Sequence, residues 1–122
     1  MQEGDPLPEV GKEVTQNRIQ RYAVASGDFN PVHIDQEFAS RSTFGGTIAH
    51  GMMIAASISE MMTVAFHEDW LRGGRLKIRF RAPVYPGDTI TTFGHVSGIH
   101  DECRVRRVSC SIGVRRQTEH FP

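Results

Sequence analysis

Residues 50–66 read HGMMIAASISEMMTVAF, an almost uninterrupted apolar stretch within a chain of 122 residues. Its hydrophobic side chains leave almost no polar face, and a helix that is apolar on every side is normally buried. Small residues at positions 55–57 would let a sheet approach closely, and His67 follows the last apolar residue. The stretch therefore predicts a long central helix around which the rest of the chain is packed.

The residues before this helix predict short elements. A short strand is expected near residues 10–14. Apolar residues at helical spacing predict an amphipathic helix over residues 16–25, with Thr15 as its N-cap and Gly27 as its C-terminal stop. One helical turn is expected at Gln36–Ser40, inside an otherwise loop-like region.

The residues after the helix have strand character. Apolar residues alternate with Arg and Lys over residues 76–80, which predicts a half-buried strand with a basic outer face. Further strands are predicted at residues 89–97 and 104–115, with a turn at residues 100–102 and a bulge at residues 106–107. The expected fold is of the α+β class, a single domain over residues 1–122 with an antiparallel sheet wrapped around the central helix.

Composition excludes several classes of protein. Hydrophobic residues make up 39% and charged residues 23%, as in an ordinary globular domain. No apolar run is long enough to cross a membrane. The N-terminal residues are acidic and lack the apolar core of a signal peptide, so we expect a cytoplasmic location. Cys103 and Cys110 are accordingly expected as free buried thiols rather than as a disulfide.

The charges are distributed unevenly although the formal net charge is zero. Residues 1–71 carry 4 basic and 10 acidic residues, whereas residues 72–122 carry 10 basic and 4 acidic ones. The basic half suggests an anionic partner, although solvated strand faces explain the same pattern. Nucleic acid is not expected, because no aromatic residues are interleaved with the arginines and no binding motif accompanies them.

The segment SGDFNPVHID at residues 26–35 carries the clearest chemistry. Asp28 and His33 are a carboxylate and an imidazole that could hold one water from two sides, one taking a proton and the other delivering one. Pro31 stiffens the loop, and Asn30 can orient its neighbours. The alternative is a local turn in which Asp28 and Asn30 bond nearby backbone and His33 is only packed.

The start of the central helix supplies a second candidate feature. Gly51 would leave the first helical amides open to a substrate oxygen, where they could stabilise developing negative charge. Close packing of helix and sheet explains the same glycine. His50 is expected to bond a loop carbonyl, since its spacing to other ligands matches no zinc pattern. Asp35 is expected to cap the following helical turn rather than orient His33.

On these residues the chain resembles the MaoC-like hydratases, the (R)-specific enoyl-CoA hydratases of the hot-dog fold. The family pattern is an aromatic residue followed by S-G-D-x-N-P-x-H-x-D, and then F-x-x-x-I-x-H-G-M. The matching positions are Tyr22, Ser26, Gly27, Asp28, Asn30, Pro31, His33, Asp35, Phe44, Ile48, His50, Gly51 and Met52. The segment RFRAPVYPGD at residues 79–88 is similar to a further family motif.

The resemblance implies reversible hydration of trans-2-enoyl thioesters to (R)-3-hydroxyacyl thioesters. Asp28 and His33 would act through one water, with the division of the two proton transfers left open. The Gly51 amide would form the oxyanion hole, and Asn30 and Ser59 would lie near the substrate. The family needs no metal or redox cofactor, takes acyl-CoA or acyl-carrier-protein thioesters, and usually forms a homodimer.

One departure from the pattern leaves alternatives open. Hot-dog proteins carry a last strand after the one at residues 104–115, usually inside the sheet, and here only seven residues follow Arg115. A non-catalytic acyl-thioester binding subunit is therefore an alternative. A hot-dog acyl-CoA thioesterase is another, with Glu60 as the only acidic residue on the central helix.

Overall fold

The fold is taken from a computed structural model, which describes residues 1–117. The helices and strands in chain order are β1 (Gly11–Glu13), α1 (Gln16–Ser26), α2 (Pro31–Ile34), α3 (Gln36–Ser40), α4 (Gly51–Phe66), α5 (Glu68–Gly73), β2 (Thr89–Glu102) and β3 (Val105–Arg116). Within this described part, none of the helices has the length and apolar character needed to span a bilayer.

The three strands form one antiparallel sheet in the order β1-β2-β3. Strands β2 and β3 form a long hairpin whose register runs from Ile90 opposite Arg116 to Glu102 opposite Val105. The segment before β1 follows β2 along the same edge as β1, opposite the edge that β3 occupies. There the Leu7 amide donates to the Gly94 carbonyl over 2.9 Å. This arrangement confirms the predicted α+β class and the antiparallel sheet, and it places β2 in the middle.

Helix α1 begins and ends where the sequence predicts. The Thr15 side chain accepts a hydrogen bond from the Arg18 amide over 3.1 Å and so satisfies one of the unpaired amides of the first turn. Gly27 ends the helix in the left-handed region at φ 76°, which glycine adopts without steric cost. Ile19 and Ala23 form the buried face. The chain therefore leaves α1 in a fixed direction toward Asp28.

Helix α4 lies against the sheet along only one side. Its buried residues are Ile54, Ala55, Ser57, Ile58, Met61 and Met62. Met52 on the opposite side is 66% exposed, and Val64 is 51% exposed. The prediction that α4 is buried on every side is wrong for the side that carries Met52 and Val64. The described strands cover only the opposite face of the helix.

Two clusters of buried side chains join α4 to the sheet. The first contains Val14, Ile19, Ile54 and Ile90 among others, and it holds α1 against the first turns of α4 and the start of β2. The second contains Ile58, Met61, Met62 and Val96 along the later turns of α4. The first cluster lies beside the start of α4 and so fixes the position of that helix terminus.

The predicted strand at residues 76–80 is not a strand in the structure. Ile78 packs against the second cluster, so the alternation correctly indicated an inward side chain. A strand also needs a neighbouring backbone, and residues 75–82 make no backbone hydrogen bonds to the described part of the chain. Leu76 and Phe80, the other two apolar residues of the pattern, are 38% and 54% exposed, so only Ile78 follows it.

The hairpin differs from its prediction in detail. Strand β2 continues through residues 100–102, and the turn is formed by Cys103 and Arg104, which both adopt positive φ. The register shift lies between Val96 and Gly98 rather than at residues 106–107. Both cysteines are free, as expected, but Cys103 is exposed at the turn and only Cys110 is partly buried. Residues 118–122, which belong to the short segment after Arg115, lie outside the described part.

Candidate active site

The loop from α1 to α2 is built from side chains that bond its own backbone. The Ser26 hydroxyl accepts from the Asp28 amide over 3.2 Å, and Asp28 Oδ1 accepts from the Asn30 amide over 3.2 Å. Asn30 then caps α2, with Oδ1 accepting from the Val32 amide over 3.1 Å. Pro31 takes the first helical position, where the missing amide is no loss. This loop holds the Asp28 carboxylate outward and exposed.

His33 lies at the end of α2 with a fixed ring. Its Nδ1 is 2.8 Å from the Ile48 carbonyl oxygen, which can only accept, so Nδ1 carries the proton. The side-chain amide of Gln16 donates through Nε2 to the His33 carbonyl oxygen over 2.9 Å and holds the backbone of His33. In the neutral ring, Nε2 is then the nitrogen left with a free lone pair.

The structure brings Asp28 and His33 together as the sequence predicts. One carboxylate oxygen of Asp28 and one nitrogen each of His33 and His50 all lie within 4.8 Å of one another. Asp28 Oδ2 has no hydrogen-bond partner among residues 1–117, and neither has His33 Nε2. A carboxylate and an imidazole this close can hold a single water between them. The alternative of a purely local turn accounts for the hydrogen bonds of Asp28 Oδ1 and of the Asn30 side chain. It does not account for the proximity of the Asp28 carboxylate to the His33 ring.

His50 is buried behind this pair. Its Nε2 donates to the Asp28 carbonyl oxygen over 3.0 Å, which confirms the expected bond from His50 to a loop carbonyl. Its ring stacks on the His33 ring with a centroid separation of 3.9 Å and an interplanar angle of 25°. Tyr22 contacts the His50 ring at 4.8 Å and 53°. His50 is 2% exposed, so its contacts with His33 and Tyr22 belong to the interior.

Asp28, His33 and His50 also have the composition of a metal site, and within the described residues they are the one cluster of this kind. The stacked rings do not fit that role. A metal lies in the plane of each coordinating imidazole at about 2.0–2.1 Å. Two nearly parallel rings aim their lone pairs side by side rather than at one point.

Gly51 is the first residue of α4, directly after His50. Neither its amide nor that of Met52 has an acceptor within residues 1–117, as expected for the first turn of a helix. These amides present the positive end of the helix dipole, and they directly follow His50, whose ring stacks on the His33 ring. The space that a Cβ would take at Gly51 faces the Phe80 ring, at 3.0–3.3 Å. Close packing therefore accounts for the missing side chain, and the amide is still open.

Ser59 lies on α4, eight residues beyond Gly51. Its hydroxyl accepts from Trp70 Nε1 over 2.9 Å and ties α4 to α5, while its own O–H is left to donate. A substrate contact by Ser59 stays a prediction. Asp35 caps α3 by accepting from the Phe38 amide over 3.1 Å, which confirms the expected capping role.

Sequence reasoning did not foresee three contributors to the site. The Ile48 carbonyl orients His33, the Tyr22 ring packs on His50, and Phe80 covers Gly51. A backbone carbonyl gives no sequence signal. Tyr22 lies on α1 six residues before Asp28, and its place in the family pattern was the available indication.

The comparisons with known proteins identify the family. Residues 2–117 match the MaoC like domain, so the chain belongs to that family. Its hot-dog α+β fold is shared with an unliganded (R)-hydratase from Pseudomonas aeruginosa, at a TM-score of 0.76 and 28% identity over 97% of this chain and 74% of that one.

Two curated relatives have similar extents of match. A 3-hydroxybutyryl-CoA dehydratase of Methylorubrum extorquens is 32% identical over 84% of this chain and 66% of its own length. An (R)-specific enoyl-CoA hydratase of Rhodospirillum rubrum is 30% identical over 84% of this chain and 73% of its own length. The chain thus spans about two thirds of the length of the relatives it matches.

Proposed function

We propose that this protein is a hydro-lyase that adds water reversibly to trans-2-enoyl thioesters and forms (R)-3-hydroxyacyl thioesters. The observation that carries the proposal is the proximity of the Asp28 carboxylate and the His33 imidazole, each with an atom open to one shared water. The names of its relatives, hydratases and dehydratases of this class, support the same reaction.

The proton transfers follow from the bonds that each group already makes. As the water oxygen bonds to C3 of the enoyl group, Asp28 takes one water proton through Oδ2. The π electrons of the C2–C3 double bond move toward the thioester carbonyl, and His33, which enters hydration as the imidazolium with a proton on each ring nitrogen, delivers the proton from Nε2 to C2. The proton on Asp28 then returns to His33 Nε2 and restores both groups. Nδ1 cannot take part because it is bonded to the Ile48 carbonyl. Dehydration runs the same transfers in reverse.

The start of α4 supplies the electrophilic component. A thioester oxygen beside the unpaired Gly51 amide would be stabilised as enolate charge develops, by the hydrogen bond and by the helix dipole. His50 lies between this amide and His33, since its backbone precedes Gly51 and its ring stacks on His33. Acid, base and oxyanion donor would then act together on one bound thioester. In this reaction no metal or redox cofactor takes part, and coenzyme A enters only as part of the substrate.

The exposed basic residues support an anionic substrate carrier. Arg75, Lys77, Arg79 and Arg81 are exposed on the segment that brings Phe80 to Gly51. Within residues 1–117, no carboxylate forms an ion pair with any of the four. Phosphates of acyl-CoA or of an acyl carrier protein provide the complementary charge.

Apolar surface beside the site supports assembly into a homodimer. Phe29 next to Asp28 is 55% exposed, Met52 next to Gly51 is 66% exposed, and Phe80 is 54% exposed. Exposed apolar residues grouped in this way are typical of a surface that another chain covers. Light scattering at increasing protein concentration would test this, and a monomer throughout would contradict it.

A thioesterase has less support. Glu60 is the one acidic residue of α4, and it pairs with Lys12 over 3.1 Å on an exposed face. It lies nine residues beyond Gly51, which is about 13 Å along the helix. A carboxylate there is too far from the helix start to act on a thioester carbonyl held at Gly51.

The test is a set of trans-2-enoyl-CoA substrates of increasing chain length, followed by loss of the conjugated enoyl absorbance. Free thiol is measured in parallel, and the product is resolved on a chiral column. We expect (R)-3-hydroxyacyl-CoA without thiol release. Thiol release would favour a thioesterase, and tight binding without turnover would favour a non-catalytic subunit; either result would contradict the proposal.

A further inference from the structure

His50 occupies the N-cap position of α4 without acting as a cap. Ser, Thr, Asp or Asn usually fills this position because a short side chain can accept from the first amides. The His50 side chain makes no such bond, and its ring is directed into the interior, where the residue is 2% exposed. The side chain therefore serves contacts away from its own helix.

Those contacts reach both members of the acid–base pair. Nε2 donates to the backbone carbonyl of Asp28 over 3.0 Å, across 22 residues of sequence. The ring face stacks on His33 at 3.9 Å. One rigid side chain thus restrains the backbone that carries the carboxylate and the plane of the imidazole.

The unpaired nitrogen of His50 indicates that the ring itself matters. Nδ1 is buried and has no hydrogen-bond partner among the described residues. A buried acceptor without a partner is unfavourable. A glutamine could donate to the Asp28 carbonyl but could not stack, and a phenylalanine could stack but could not donate. Only histidine among these supplies both contacts, at the expense of one unsatisfied atom.

The geometry points to His50 as a positioning residue that sets the separation of Asp28 and His33 without touching the substrate. This inference rests on the proposed hydratase function and deepens it. Losing either contact lets one catalytic group move relative to the other. Displacements of about 1 Å at a reacting centre reduce rates by roughly 100-fold.

The test compares His50→Gln, which keeps the donor, with His50→Phe, which keeps the ring face. Both variants are expected to lower kcat on crotonyl-CoA by roughly 10- to 100-fold, with KM within about threefold of wild type. Val96→Ala, in the second core cluster, is the control for lost stability alone. Its kcat should stay near that of wild type at a temperature where all variants are folded.

Three kinetic results would overturn the inference. They are a kcat within about twofold of wild type in either variant, a loss confined to KM, and a kcat no lower than in Val96→Ala. The first would show that the removed contact is dispensable. The second would indicate a substrate contact, and the third a loss of stability alone.

A second measurement needs neither a variant nor activity. Nitrogen-15 spectra of the imidazoles in the wild-type protein should show the His50 proton on Nε2 and the His33 proton on Nδ1. A His50 proton on Nδ1 would overturn the inference. Wild-type protein with these tautomers and no hydratase activity would instead remove the proposed function, so the two failures are distinguishable.

Discussion

The Nδ1 atom of His33 lies 2.8 Å from the carbonyl oxygen of Ile48, and this bond decides which ring nitrogen can react. It links α2 to the segment that leads into α4, so the imidazole is fixed relative to the helix start. A carbonyl oxygen only accepts, so the proton on Nδ1 is committed and proton exchange takes place at Nε2.

Replacing His33 tests this division of labour. Asparagine places an amide near the former Nδ1 and can keep the bond to the Ile48 carbonyl, but it has nothing at Nε2. We expect His33→Asn to fold normally and to lose about 100-fold or more in kcat for hydration of crotonyl-CoA. His33→Gln is the companion variant, which reaches toward Nε2 and loses the Ile48 bond. A His33→Asn enzyme as active as wild type would remove His33 from the chemistry.

The amide of Gly51 can be deleted without disturbing the helix. Proline is tolerated at the first helical position, and His50 already has the extended backbone, at φ −63° and ψ 137°, that a residue before proline requires. We expect Gly51→Pro to lower kcat by about 100- to 1,000-fold through loss of an oxyanion donor.

Gly51→Ala is the matched control, because it adds a Cβ against the Phe80 ring but keeps the amide. That ring is 54% exposed and can move aside, so we expect Gly51→Ala to retain most of its activity. Equal rates in the proline and alanine variants would show that the amide is not a donor in catalysis.

The part of the fold that could be predicted from sequence is the part determined locally. Thr15 and Gly27 mark the ends of α1 because capping and positive φ involve only neighbouring residues. The strand at residues 76–80 failed for the opposite reason. The alternation of apolar and basic residues correctly predicted that Ile78 faces inward. A strand also needs a neighbouring backbone, which the side-chain pattern does not reveal. Helix α5 was not predicted at all.

The candidate site shows the same limit. The proximity of Asp28 and His33 was predicted because their residue types and loop spacing suit acid–base chemistry on one water. The Ile48 carbonyl, 15 residues away, was not foreseen, because any residue type supplies a carbonyl. Phe80 against Gly51 is a contact between distant segments, and it depends on how residues 75–82 cross the start of α4.

Replacing Ser59 can distinguish a structural role of its hydroxyl from a substrate contact. In Ser59→Ala the partly buried Trp70 Nε1–H loses its acceptor, which should lower the free energy of unfolding by about 1 kcal/mol. If the hydroxyl also touches substrate, KM should rise at the same time. Thermal unfolding and steady-state kinetics measure the two effects separately. Trp70→Phe breaks the same bond but leaves the Ser59 hydroxyl, so a KM change confined to Ser59→Ala would identify the substrate contact.

The two thiols should react at different rates. Burial raises the pKa of the Cys110 thiol, whereas Cys103 is exposed at the hairpin turn. We expect an alkylating reagent to modify Cys103 first, with Cys110 following only as the pH rises further. The stability contributed by the neutral Cys110 thiol is present below its unfolded-state pKa and is lost as the pH rises through its raised folded-state pKa. Peptide mapping after timed alkylation measures this order, and equal rates at both positions would contradict it.

The most direct test of the shared water is the rate of crotonyl-CoA hydration by wild type and by Asp28→Asn, measured at equal folded concentration. The amide keeps the size of the carboxylate and its carbonyl oxygen can still accept from the Asn30 amide, so the loop should remain intact. It cannot take a proton from water, and the rate should fall by about 100-fold or more. Equal rates for the two proteins would contradict the assignment of Asp28 and His33 as the catalytic pair.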